Sequence, residues 1–212
     1  MSWLNWNSRR GSFFAPFVGY LLIALIYVPI LWLVVMSISQ EPLSGVPGPF
    51  TDDWYQKLFE SRRWRAPLML SVQIAIIVGM LCAFFATLIG RILPRFRLRG
   101  FILGIHLIPL FVPSVVMGTA LFLYLRSFLG LKLGVWSLVI GHFIWAFPFS
   151  LLAVIIMASR FDRRIVDAAA DIGANSWRRF WDIEFPSLQP GIIAAGLFGF
   201  LLSFNELSFS IF

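Results

Sequence analysis

Charge is what this sequence has least of. Asp, Glu, Lys and Arg make up 13% of its 212 residues, against about 25% in an ordinary soluble domain, while 59% of the chain is hydrophobic. A chain this short cannot enclose so much apolar surface in a core, so the excess must face lipid or other subunits. Cysteine is nearly absent too. Cys82 stands alone inside an apolar run, which excludes an intrachain disulfide and a cysteine-based zinc cluster and leaves it as packing filler. His106 and His142 lie in different apolar runs with no Cys, Asp or Glu at ligand spacing, so they are read as packing histidines rather than a metal site. The Gly-rich loop ending in Lys and Ser or Thr that cradles nucleotide phosphates is missing, as are HExxH, GxSxG and a catalytic carboxylate pair. Any energy for active work must therefore come from another chain. The net charge of +7 does not signal nucleic acid, because the basic residues sit between apolar runs instead of clustering on a polar face.

What is present is a series of apolar segments, each near the 20 or so residues that cross a bilayer as a helix. Five qualify: 13–38, 68–93, 101–125, 133–157 and 190–212. The expected fold is an all-α, polytopic transmembrane bundle forming one domain over 1–212. Pro29, Pro109, Pro113 and Pro148 should kink their helices. Arg9 and Arg10 ahead of the first segment resemble the start of a secretory signal, but its length and lack of a small-residue cleavage site favour a retained helix. With a cytoplasmic N-terminus, eleven of the seventeen basic residues fall inside, including the 91–99 turn with Arg91, Arg95, Arg97 and Arg99. Five spans would leave the other end outside. Phe209, Ser210, Ile211 and Phe212 follow a span with no polar tail, so a sixth helix is expected in a complete chain.

Segment 158–189 is polar enough to leave the membrane. Good helix formers run to Ile172, Gly173 offers a stop, Asn175 or Ser176 can cap a second helix towards Ile183, and Pro186 and Pro190 should end that helix and begin the last span. Ala168, Ala169 and Ala170 permit close approach to another backbone, and Trp177, Phe180 and Trp181 are apolar anchors for a partner's groove. On these residues alone a basic loop lying on lipid headgroups is an equal reading, which would suit a membrane-embedded enzyme or an assembly scaffold.

The run Asp167-Ala168-Ala169, three residues, Gly173, nine residues, Ile183, one residue, Phe185-Pro186 resembles the EAA loop of bacterial ABC importer permeases. Asp stands for the family's Glu and Phe for its Leu. Phe50-Thr51, Trp54-Tyr55, Leu58-Phe59, the stretch from Pro109 to Gly118, Gly141-His142, Pro148-Phe149 and Ser203-Phe204-Asn205-Glu206 are similar to the spermidine/putrescine branch. Ser114 stands where polyamine permeases often carry an acid, and Asn205-Glu206 where they carry paired acids. The resemblance implies a multi-pass permease subunit in a bacterial inner membrane, its loop docked as a coupling helix on a separate ATP-binding subunit through Asp167, Ala168, Ala169, Gly173, Ile183 and Pro186. It also implies a second permease, identical or homologous, and a periplasmic or extracellular binding protein. ATP and Mg would sit on the ATPase, with no cofactor on this chain and no nucleic acid.

Glu206 reads as the one acid within a span, about 24 Å along the helix from Pro190. A carboxylate there must face protein or a watery cavity, which makes it a pathway candidate, with Asn205 and Ser114 as polar neighbours or interhelical hydrogen-bond partners.

Overall fold

The computed structural model of the chain describes residues 9–210, with side chains from residue 16 onward. It divides into two compact units, Met1–Trp64 and Arg65–Phe212. In the first, α1 (Arg9–Ser37) contains Pro16 and Pro29, and α2 (Asp53–Glu60) follows a loop. The motif residues here act as fasteners. Trp54 Nε1 donates to the Ser39 carbonyl (3.0 Å), Tyr55 and Ser37 share a hydroxyl hydrogen bond (2.7 Å), and Thr51 Oγ1 accepts from the Asp53 N–H (3.2 Å) ahead of α2. Within this unit the α1 wall from Pro16 to Val34 stays open, as suits a surface made for lipid or another chain.

The second unit is built on α3 (Arg65–Ile92), α6 (Val135–Arg160) and α9 (Phe185–Phe204), with α4 (Arg99–Leu107) and α5 (Ser114–Leu123) between the first two. Ile74, Val78, Cys82 and Ala86 recur every fourth residue along α3 and meet Val139, Ala146, Leu151 and Val154 of α6 and Ala195 of α9. Four-residue spacing puts the α3 side chains on one stripe, and Met80, Phe84 and Leu88 are left pointing outward. Apolar groups outside and small groups inside suit a lipid solvent, where tight packing and interhelical hydrogen bonds hold helices together. Ser150 Oγ supplies such a bond to the Ala195 carbonyl (2.8 Å).

α3 and α9 approach closely. A Cβ on Gly199 would lie 2.8 Å from the Cys82 Cβ and 3.0 Å from the Gly79 Cα. Cys82 is thus the filler expected of it. Overpacking a site this tight costs about 1–3 kcal/mol. Gly199→Leu is expected to lower the detergent-extracted melting temperature and the amount of inserted protein, measured by thermal melt and membrane fractionation. An unchanged melt would mean that this contact does not hold the bundle.

Four helices, Pro16–Ser37, Arg65–Arg95, Val135–Arg160 and Ser176–Phe204, are long and apolar enough to cross a membrane. The expected span at 101–125 is not one straight helix. It consists of Arg99–Phe111 and Ser114–Phe128, bent by 101° at the break. Pro113 has no N–H to donate and drives Val112 out of helical geometry, to ψ 127°. Each half reaches about 20 Å, short of the roughly 30 Å hydrocarbon core. The described residues therefore contain four such helices, or five spans if the bent pair counts as one. Pro148, by contrast, lies within a continuous α6.

The last segment also departs from expectation at both ends. Pro186 and Pro190 do not separate a loop helix from a span: helix runs unbroken over Ser176–Phe204. A π-turn at Arg179–Glu184 precedes them, and its wider hydrogen-bond spacing accommodates the donor that Pro186 lacks. The other end closes at Phe204, not near 212, and residues 211–212 lie outside the described residues. Asn205 turns its Nδ2 back to the Leu201 carbonyl (2.9 Å), and Phe209 packs over Gly141 and Leu121 of neighbouring helices. Burying Phe209 draws the chain out of helix.

Candidate functional site

The polar segment forms the helix, glycine turn and helix expected of it. α7 (Arg164–Asp171) ends in a Schellman motif: the Ala174 N–H donates to the Ala169 carbonyl (2.9 Å) and the Gly173 N–H to the Ala170 carbonyl (2.9 Å). Gly173 has φ +88°, and nothing lies within 4 Å of a Cβ built there. Backbone conformation, not space, demands glycine. Asn175 Oδ1 then accepts from the Arg178 N–H (2.8 Å) and caps α8 (Ser176–Arg178), which continues through the π-turn into α9.

α7 has two apolar faces. Val166 and Ala169 are buried towards the bundle, whereas Ile165, Ala168 and Ile172, spaced three and four residues apart, are exposed, Ile172 to 87%. Asp167 is exposed beside them. Trp177 and Trp181 stand exposed on the following helix with their rings edge to face. Ile183 is half-buried in the turn of helix before α9, and Pro186 is exposed in the first turn of α9.

Three residues, of which the sequence marked only Arg91 and then only for orientation, bind this element to the membrane helices. Glu184 is only 5% exposed and forms a two-pronged ion pair with Arg91 at the end of α3, Nε and Nη2 of Arg91 donating to its two carboxylate oxygens. Arg163, at the N-cap of α7, donates its Nη2 to the Arg91 carbonyl (2.6 Å), and the Arg91 guanidinium carbon lies 4.7 Å from the Phe180 ring centre. A signal for Glu184 existed: an acid between apolar Ile183 and Phe185, where a loop enters a span, needs a partner. Nothing in local spacing names Arg91.

The pathway candidates gather elsewhere. Glu206 is not within a helix, contrary to expectation. It lies two residues past the end of α9, half-buried, and its Oε1 accepts from the Ser208 N–H (2.8 Å). Ser208 Oγ in turn shares a hydrogen bond with Ser114 Oγ (3.1 Å) at the start of α5, so the structure joins Glu206 to Ser114 through Ser208. Asn205 is exposed and bonded to its own helix, apart from that chain. His142, 3% exposed, shares one ring nitrogen with Ser203 Oγ (2.9 Å) and the other with Ser210 Oγ (3.4 Å), a satisfied packing histidine that pins α9 and the turn after it to α6. His106 Nδ1 meets the Ile102 carbonyl (2.8 Å) within α4. Among the described residues no group of three or more His, Cys, Asp or Glu could hold a metal ion.

Residues 75–212 match the family described as binding-protein-dependent transport system inner membrane component. The chain belongs to that family. It is 32% identical over 209 residues to the spermidine/putrescine transport system permease protein PotC of Escherichia coli, an alignment covering 96% of this chain and 75% of the relative. The PotC of Haemophilus influenzae is 28% identical over 195 residues, covering 91% and 76%, and the putrescine transport system permease protein PotI of Escherichia coli is 28% identical over 190 residues, covering 86% and 68%. The permease is therefore a multi-pass membrane subunit of an ABC importer and not the membrane-embedded enzyme that its basic loop also allowed. Its resemblance to the spermidine/putrescine branch, read from the loop and its flanking motifs, is borne out by these relatives.

Proposed function

We propose that this permease pairs with a second permease chain to enclose a substrate pathway, and that α7 and its glycine turn dock on a separate ATPase that carries ATP and Mg. An external binding protein delivers the substrate. The observation that carries the reading is the outward stripe of Ile165, Ala168 and Ile172 on a helix already packed on the bundle through Val166 and Ala169. A second apolar face on a short polar segment has no use in water and fits a groove in another protein. Closing of the ATPases on ATP would move α7 as a rigid body and alternate the opening of the pathway. The permease extracted in mild detergent should copurify with an ATPase. Recovery of the intact permease without one, under conditions that retain its second permease chain, would count against the docking.

The substrate is a polyamine or similar small cation, supported by the relatives' names and by the half-buried Glu206 carboxylate next to Ser114 and Ser208. One carboxylate oxygen holds the Ser208 N–H, and a carboxylate has capacity for further donors such as an ammonium group. The N-terminus lies in the cytoplasm, with the 91–99 turn and α7 on the same side. Cysteines placed at Leu98 and Ile172 should resist a membrane-impermeant thiol reagent applied to intact cells, while one at Leu43 should react. The reverse pattern would invert the topology.

A further inference from the structure

α7 is joined to α6 through Phe161, Asp162 and Arg163, and to α8 through the Gly173 turn. Val166 and Ala169 pack α7 on the bundle, but apolar contacts alone set no direction, so a push on α7 reaches the membrane helices in a defined direction only if something braces it. The brace is visible where three elements meet around one guanidinium. Arg91 comes from α3, Arg163 from the start of α7, and Glu184 with Phe180 from the π-turn leading into α9. Asp167 and Arg95 line the same cavity, of about 40 Å³, as Arg91, Arg163 and Glu184.

We propose that Arg91 and Glu184, held by Arg163, form a strut that transmits movement of the coupling element into α3; they are positioning residues for the transport cycle. Apolar contacts between helices are non-directional and tolerate sliding, but a two-pronged guanidinium–carboxylate pair fixes both distance and orientation. Glu184 is almost fully buried, so breaking the pair strands a charge, and the pair resists opening. The π-turn contributes by setting Glu184 within reach of α3 just before Pro186, at the kind of helix irregularity that often marks a functional site. The strut deepens the coupling reading and rests on it.

The test uses the complete complex in lipid nanodiscs and liposomes, with spin labels at exposed Leu88 on α3 and Ile165 on α7 and radiolabelled putrescine as the transport probe. Glu184→Gln keeps shape and removes charge; Arg91→Lys keeps charge and removes the fork. Both are expected to retain the ATPase, to broaden the distance distribution between the labels, and to lower putrescine moved per ATP hydrolysed by about tenfold or more. The exchange of Arg91→Glu with Glu184→Arg should restore part of that ratio, which assigns the defect to the pair itself, while the retained ATPase and the label distances separate loss of transmission from loss of assembly. An unbroadened distance in Glu184→Gln overturns the strut. So does a broadened distance with an unchanged transport-to-ATP ratio, and so does loss of assembly in both single variants without recovery in the exchange. If the wild-type complex holds no ATPase, the coupling reading fails separately.

Discussion

Gly173→Val is expected to abolish uptake and release the ATPase while leaving the permease in the membrane. Valine at φ +88° meets the steric penalty of the left-handed region, about 1–2 kcal/mol even for an unbranched residue. That alone shifts the turn's population by roughly 5- to 30-fold, and the two Schellman hydrogen bonds to Ala169 and Ala170 are lost with it. Because no atom lies within 4 Å of an added Cβ, the defect is one of backbone conformation. Gly173→Asn should therefore keep most activity, since asparagine tolerates this conformation, although it is bulkier than alanine. Uptake by Gly173→Val at the wild-type rate, or equal loss in the valine and asparagine variants, would contradict the role given to the turn. The readouts are putrescine uptake in cells and ATPase recovered with the purified permease.

Glu206→Gln should weaken polyamine uptake by about ten- to a hundredfold in apparent affinity, the range of a hydrogen bond to a charged group. Glutamine retains a carbonyl oxygen to accept from the Ser208 N–H, so the turn that carries Phe209 stays in place and the coupling element is untouched. Expression and ATPase association should be normal. Glu206→Ala removes both roles, and a defect seen only in that variant would make Glu206 a structural cap. Ser114→Ala provides a graded comparison through its bond to Ser208, with a smaller effect because no charge is lost. Wild-type uptake by Glu206→Gln across putrescine concentrations would remove the carboxylate from the pathway.

The sequence was informative where structure is decided locally. Hydropathy located α1, α3, α6 and the body of α9, and cap chemistry located α7 and the Gly173 turn and narrowed the next cap to Asn175 or Ser176, because each depends on residues within a few positions. It was less informative where competing local effects differ little. Pro109 and Pro113 read as kinks in one span, yet Val112 goes extended before Pro113 and the helix turns through 101°. Pro186 read as a boundary, yet a π-turn carries helix through it. Glu206 read as part of a helix that Asn205 and the burial of Phe209 end first. The Arg91–Glu184 pair spans residues 93 apart in sequence and leaves no periodic trace. Only folding brings them together.

The docking of α7 on an ATPase is tested most directly at Ile172, the more exposed of the two isoleucines in the outward stripe. An Ile172→Cys permease should react readily with a thiol reagent when free of ATPase and be protected in the assembled complex, with Cys82 silent because it is fully buried. In the same complex, a cysteine at exposed Leu98 should react equally in both states. Undiminished labelling of Ile172→Cys in a complex that retains its ATPase and still transports would show that α7 is not the docking helix.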